Sequence, residues 1–336
     1  MFVLLIIFSL LVLTYSYSQK RNMITLTLNA DDFGIYRRKD YKNYNFNSIQ
    51  PFVPKIVIFN KIKSYGRLIR AKNIFPTSIL SLSGYLMGYN GVFQVKQLLF
   101  PMCISILIMC NSMIINYLFD YKLDNINNPT RPIVTQEITK KEAIIFSCIL
   151  TTIIFFINQF LSSYQKLIST IALCSTFIYT PILKKIPVIK NLFCSSLVSF
   201  SVYFTAHSSN NNLFSLIRII FVGSLINEIL LDILDLEGDS IMGIKTIPGI
   251  IGKFYSIMLC QILLFLAIFW NIISCLHIPT FNTLTYVLLY IPSFLFFRNI
   301  TRNNFSKQLI KKTVSNSSIT LFLSCIYFII LNLFHL

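Results

Sequence analysis

From Arg67 to the C-terminus the chain is a succession of apolar runs, each about as long as a bilayer-crossing helix, separated by short loops that carry most of its basic residues. Hydrocarbon offers backbone amides no partner, so a run of about 20 apolar residues entering it can only be a helix with its hydrogen bonds closed internally. Only 12% of the residues are charged and 55% are hydrophobic, whereas about 25% are charged in an ordinary soluble domain. The runs fall at 73–90, 97–119, 142–161, 167–183, 191–207, 213–231, 255–275, 281–297 and 317–335. They predict an all-α, polytopic membrane protein of nine transmembrane helices in a bundle around a central cavity.

Charge provides an independent test, because loops on the two sides of a membrane differ in Lys and Arg. With nine spans, twenty basic residues fall on the side of the N-terminal approach and of the loops after the even-numbered helices, among them Arg70, Lys122, Arg131, Lys184, Lys190, Lys245 and Lys307. The opposite side has only Lys96, Lys166 and Arg218. Miscounting one helix would mix the two sets. The net charge of +17 is therefore a topology signal and not a nucleic-acid surface. The eight Cys are scattered through apolar runs without Cys-x-x-Cys spacing, as small packing residues are. The three His lie at run ends or in a loop and suggest no chemistry.

The N-terminal part differs. Residues 2–13 form an apolar run too short to span a bilayer, which suits the core of a signal peptide or signal anchor over 1–17. Residues 18–64 are polar, lack periodicity and are expected to be a disordered leader, with the membrane domain at 65–336. A signal followed by such a leader suits a plastid membrane, and an ordinary secretory signal would place the chain in the endoplasmic reticulum.

The acids are few and clustered. Of twelve, three (Asp31, Asp32, Asp40) fall in the leader, and seven of the other nine are Asp120, Asp124, Glu228, Asp232, Asp235, Glu237 and Asp239. Asn116, Asp120 and Asp124 are spaced i, i+4, i+8, and Glu228, Asp232, Asp235 and Asp239 are spaced i, i+4, i+7, i+11, so each set lines one face of a helix. Like charges at such spacings repel, and carboxylates near hydrocarbon need pairing or coordination. Oxygen ligands without His or Cys select a hard ion such as Mg²⁺, whose shell phosphate often completes. Basic loops with Lys122, Arg131, Lys184, Lys185 and Lys245 on the same side suit a polyanion. Together these features describe a mouth for a lipid diphosphate whose hydrocarbon tail lies among the helices. Acids that merely mark a membrane boundary would explain one Asp, but not seven in two short segments. A cation-coupled transporter would place its acids near the bilayer midplane on broken helices.

Asn116-x-x-x-Asp120-x-x-x-Asp124 running into Asn128-Pro-x-Arg131-Pro132, then Asp232-x-x-Asp235-x-Glu-Gly-Asp239, resembles the UbiA superfamily of intramembrane prenyltransferases. Arg70, Asn73, Tyr179, Lys184 and Lys245 fit the same pattern. The resemblance covers about 65–336 and implies that Asn116, Asp120 and Asp124 hold one Mg²⁺ and that Asp235 and Asp239, supported by Asp232, hold a second. It implies that Arg131, Lys184 and Lys245 grip a diphosphate, with Arg70, Asn73, Asn116 and Tyr179 beside it. Asp120, Asp124, Asp235, Asp239, Arg131 and Lys184 would then carry catalysis. Two positions depart from the pattern. Glu228-Ile-Leu-Leu231 stands where many relatives have a basic residue before the first Asp, and Lys190 replaces the usual Gly before Asn191.

The implied partners are a polyprenyl diphosphate donor, geranylgeranyl-like, and membrane lipids. The Asn-Pro-x-Arg-Pro ending with Glu-Gly-Asp is similar to the branch that alkylates a lipid alcohol such as geranylgeranylglyceryl phosphate. An aromatic precursor such as homogentisate, or chlorophyllide, is the alternative acceptor. No nucleic acid or obligate protein partner is called for, and the intact aspartates argue against an inactive relative.

Overall fold

The computed structural model describes residues 56–333, apart from 89–92, 207, 209, 242, 277 and 279–280. The expected signal segment and the leader up to residue 55 lie outside the described residues. The chain divides into two compact units, Met1–Arg67 and Leu68–Leu336. At the end of the first, α1 (Ile56–Leu68) turns the last part of the expected leader into helix. Ile58, Ile62 and Tyr65 recur at helical spacing there, a short signal that the polar residues around it obscure.

The second unit is helical throughout, with no strand among the described residues. Its helices are α2 (Ile74–Gly88), α3 (Val95–Phe119), α4 (Tyr121–Asn127), α5 (Lys140–Asn158), α6 (Ser163–Tyr179), α7 (Ile189–Thr205), α8 (Asn211–Ile241), α9 (Ile247–Cys275), α10 (Thr283–Leu288), α11 (Ile291–Arg302) and α12 (Lys307–Leu333). Six spans are long and apolar enough to cross a membrane: α3, α5, α8, α9, the α10–α11 pair and α12. Large apolar side chains such as Phe156, Phe265 and Trp270 point outward from these helices. In water they would be a liability, but in a bilayer they meet hydrocarbon. The chain is an integral membrane protein.

The longest helix, α8, is the bundle's axis. Leu213, Leu216, Ile220, Ile229 and Leu230 are fully buried along it, and it packs on α7, α9 and α12. Apolar contact alone does not drive helices together in lipid, so interhelical hydrogen bonds contribute. Ser147 of α5 donates to Asn111 Oδ1 of α3 at 2.6 Å. Asn271 of α9 donates to the Ser215 carbonyl of α8 at 2.9 Å and to the Tyr286 hydroxyl of α10 at 2.8 Å. Capping boxes, Thr139 with Glu142 and Ser162 with Gln165, set the starts of α5 and α6.

Helix ends depart from the apolar runs where polar residues continue a helix beyond hydrocarbon. α8 runs ten residues past the expected end at 231 and carries the whole second acidic segment as helix. α12 starts at Lys307 rather than 317. α9 starts at Ile247 and breaks at Gly252, whose φ of 84° and ψ of 160° suit glycine. The expected span 281–297 is interrupted between α10 and α11, where Pro292 has no amide to donate to the preceding turn.

Two close approaches fix the positions of the acidic segments. α3 ends at Asp120, whose φ of −82° and ψ of 5° leave the helix briefly before α4 resumes it. α4 then meets the last turns of α8: a Cβ on Gly238 would lie 1.9 Å from Asn127 Oδ1, and Asn127 Nδ2 donates to the Asp235 carbonyl at 3.4 Å. Elsewhere α2 presses on α7, where a Cβ on Gly84 would lie 1.9 Å from the Val202 carbonyl oxygen. Thr205 donates to the Ser81 carbonyl beside it at 2.7 Å.

These contacts predict different outcomes. Gly84→Ala must push backbone from backbone and is expected to lower stability by about 3 kcal/mol in thermal unfolding. Gly238→Ala displaces only the Asn127 amide and is expected to cost about 1 kcal/mol, while separating the two acidic segments and lowering activity more than stability.

Candidate active site

The first acidic segment is held by partners from three elements. Asn116 of α3 accepts from Thr180 Oγ1 at 3.0 Å. Asp120 accepts from Lys184 Nζ, carried by the short 3₁₀ turn Leu183–Lys185 that follows α6. Asp124, 3% exposed, accepts from Arg131 Nη1 at 2.5 Å. Burial pushes the Asp124 carboxyl above the usual carboxylate range, although Arg131 and Lys184 pull it down.

The second segment lies on α8. Asp232, 2% exposed, accepts from Lys190 Nζ and from Asn191 Nδ2, the latter at 2.9 Å. Asp235 and Asp239 both face Lys184 and Lys190, and Asp235 also faces Arg131. Glu228 faces Lys190, Lys184 and Arg70. Lys184 therefore faces carboxylates of both segments, and its loop is where the two stripes meet.

Arg70 precedes α2 and sits in the left-handed region at φ 48°, ψ 58°, unusual for a residue with a side chain. Its Nε donates to the Tyr117 hydroxyl at 3.1 Å, and the Tyr117 ring lies 5.5 Å from its guanidinium and 4.7 Å from that of Arg131. Burial opposes the Arg70 charge, but Tyr117, Glu228 and Asp124 outweigh it and hold the guanidinium above its ordinary value. Tyr117 thus aligns two cations at one edge of the acidic cluster.

Most of the residues singled out by sequence converge here: Asn116, Asp120, Asp124, Arg131, Lys184, Asp232, Asp235, Asp239 and Arg70. Tyr179 lies at the edge, its hydroxyl accepting from Cys194 Sγ at 3.1 Å and its ring stacked on Phe193. Asn73 contributes backbone, its N–H donating to the Arg70 carbonyl at 2.8 Å and its carbonyl accepting from Thr77. Lys245 is the exception. It follows a turn at Gly243 with φ 68°, is exposed, and forms no ion pair among the described residues, so the expected third diphosphate cation is not gathered with Arg131 and Lys184. Sequence reasoning missed Tyr117 and Asn127 and gave Lys190 and Asn191 no role. Lys190 had been visible only as a topology charge and as a departure from Gly.

The residues can be tested against the implied Mg²⁺. Among the described residues no three acids, His or Cys converge in a metal-binding arrangement, because Asp120, Asp124 and Asp232 each turn to a Lys or Arg. The donor chemistry nevertheless fits. Six carboxylates (Asp120, Asp124, Glu228, Asp232, Asp235, Asp239) share this end of the bundle with five cations (Arg70, Lys72, Arg131, Lys184, Lys190), leaving an excess of one negative charge when all are ionised. All their ligating atoms are hard oxygens, suited to Mg²⁺. An open cavity of about 580 Å³ lies elsewhere and is lined by none of these side chains.

Comparison with known proteins gives the chain's relatives. The chain is 27% identical over 210 residues to a digeranylgeranylglyceryl phosphate synthase of Pyrococcus furiosus, covering 62% of this chain and 76% of that one. It is 29% identical over 242 residues to a synthase of the same name from Saccharolobus solfataricus, covering 70% and 84%. These archaeal relatives give no support to a plastid or endoplasmic reticulum membrane. Its fold is similar to a solved structure concerning digeranylgeranylglyceryl phosphate synthase in membranes, with a TM-score of 0.63 at 24% identity over 81% of this chain and 99% of that one. It is also similar to a UbiA homologue from Archaeoglobus fulgidus bound to GPP and Mg²⁺, with a TM-score of 0.61 at 17% identity over 79% and 99%. The profile of the UbiA prenyltransferase family matches residues 77–326. With that match spanning most of its length, the chain belongs to the UbiA prenyltransferase family.

Proposed function

We propose that this prenyltransferase takes a polyprenyl diphosphate of geranylgeranyl type, with Mg²⁺, and transfers the prenyl group to a lipid alcohol such as geranylgeranylglyceryl phosphate. The observation that carries the reading is the meeting of both carboxylate stripes around Lys184 and Arg131 at one end of the bundle. The names of the Pyrococcus and Saccharolobus relatives support the lipid acceptor over homogentisate or chlorophyllide.

Asn116, Asp120 and Asp124 would hold one Mg²⁺ and Asp232, Asp235 and Asp239 a second, supplying charge neutralisation to the leaving diphosphate. Lys184 and Arg131 are now paired with the carboxylates those ions would take. Released from them, they are placed to bind phosphate oxygens, Arg131 as a fork and Lys184 as a point charge. Arg70, aligned by Tyr117, adds a third cation. The allylic carbon–oxygen bond breaks with its electron pair leaving on diphosphate. The acceptor hydroxyl forms the new carbon–oxygen bond, and its proton passes to the released diphosphate. The apolar bundle keeps water from competing for the prenyl cation.

The same reading includes nine crossings, with both acidic segments on the basic side. Besides the six long spans, α6 and α7 have 17 residues each and α2 has 15, preceded by the 3₁₀ turn Ala71–Asn73. That is near the lower limit of about 17 residues for a span.

The test is prenyl transfer in membranes bearing the chain, with labelled geranylgeranyl diphosphate and geranylgeranylglyceryl phosphate. Product is expected only with Mg²⁺ and is expected to vanish in an Asp120→Asn, Asp239→Asn double variant. Product with homogentisate alone would move the acceptor to the aromatic class, and no diphosphate release with any acceptor would refute the reading. In the same assay Lys184→Met is expected to lower the rate about 100-fold or more, as loss of a preorganised charge does. Lys245→Met should stay within about threefold of the parent, since an exposed, unpaired side chain contributes little preorganised stabilisation.

A further inference from the structure

Arg218 lies on α8, seven residues from its first residue Asn211, so its Cα is about 10 Å into the helix at the end opposite the acidic segments. A charge at that depth requires a partner. Its Nη1 donates to Asn271 Oδ1 at 2.6 Å and to Ser274 Oγ at 3.3 Å, and Trp270 lies under the guanidinium at 5.4 Å. All of these partners are neutral. The titratable groups nearest it are Cys275 and Tyr286, and no carboxylate pairs with it among the described residues. The nearest acid on its own helix is Glu228, ten residues on and about 15 Å along the axis.

The guanidinium also borders the 580 Å³ cavity, which lies between α7, α8 and α9. Ser199, Asn211 and Ser274 give that cavity polar groups, the two hydroxyls donating to carbonyls of their own helices, while Phe214 and Phe221 give it apolar walls. Phe214 and Trp270 are exposed on the outer surface beside it, continuing the apolar wall toward hydrocarbon. A cavity with one uncompensated cation, three neutral polar groups and an apolar side suits an amphiphile with a single anionic head. Its volume admits a headgroup and the first part of a chain, not a whole lipid.

We propose that this cavity is a binding site for the phosphodiester headgroup of an anionic membrane lipid, from the leaflet opposite the active site. Arg218 supplies the charge, held in place by Ser274, Asn211 supplies a further hydrogen bond, and Phe214 and Phe221 receive the start of the chain. Loops at this end of the bundle are poor in Lys and Arg, so the attraction is local to the cavity and differs from a polybasic surface field.

The test is native mass spectrometry of the full chain in neutral detergent, mixed with phosphatidylglycerol or with zwitterionic phosphatidylcholine. The wild-type protein is expected to retain one phosphatidylglycerol in preference to phosphatidylcholine. Arg218→Gln should weaken that retention about tenfold, and Arg218→Lys should largely restore it, a shift expected of a single desolvated charge. Ser274→Ala, which leaves the Arg218–Asn271 bond intact, should weaken it several-fold. Equal retention of the two lipids by the wild type, a comparison that needs no variant, would overturn the proposal. So would unchanged retention in Arg218→Gln. Displacement of phosphatidylglycerol by excess inorganic phosphate would make the cavity a site for the free anion and overturn the lipid assignment.

Discussion

Carboxylates brought together at the edge of hydrocarbon must be neutralised, and the rest of this structure is arranged around that requirement. Two helices deliver acids to one end of the bundle, and cations from three loops and from the first turn of α7 meet them: Arg70 before α2, Arg131 after α4, Lys184 after α6 and Lys190. The match is incomplete by one charge, and burial holds the Asp124 carboxyl above its ordinary range despite Arg131 and Lys184. An incompletely neutralised pocket attracts a divalent ion, whereas a fully paired one would be inert structure.

The pairing also explains how one set of residues can serve two states. Lys184 and Arg131 pair with carboxylates in this structure, and on the proposed reading the same cations would be free for phosphate if metal took those carboxylates. Lys190 fits this scheme differently. It reaches Asp232 from the first turn of α7 and faces Glu228, so the Lys that stands in place of the usual Gly enters the second acidic stripe. An acid at 228 and a base at 190 compensate one another, and neither introduces an unmatched charge.

Much of this was legible in the sequence because membrane insertion writes strong signals. Apolar length marked six spans that the structure bears out, and the i, i+4 spacing of Asn116, Asp120 and Asp124 survived even the break at Asp120. Less legible were contacts that depend on packing between distant helices. Nothing in Glu-Gly-Asp announces that Asn127 rests on Gly238, and nothing in Lys245 announces that its turn leaves it exposed. Arg218 had been counted only as a stray charge on the poor side of the topology. Its meaning appears when its neighbours prove to be neutral and its cavity open. The polar extensions of α8 and α12 were missed because hydropathy reports where hydrocarbon ends, not where a helix ends.

The central claim is that metal and diphosphate bind by relieving the same charge pairs, so each should favour the other. Calorimetric titration of the purified chain with Mg²⁺ and with an unreactive thio-analogue of geranylgeranyl diphosphate tests it directly. The account predicts that each ligand tightens the other at least about tenfold, a coupling of roughly 1.4 kcal/mol that must be equal in both directions. It also predicts that Lys184→Met abolishes most of that coupling while leaving Mg²⁺ binding intact. Independent binding of the two ligands would contradict it.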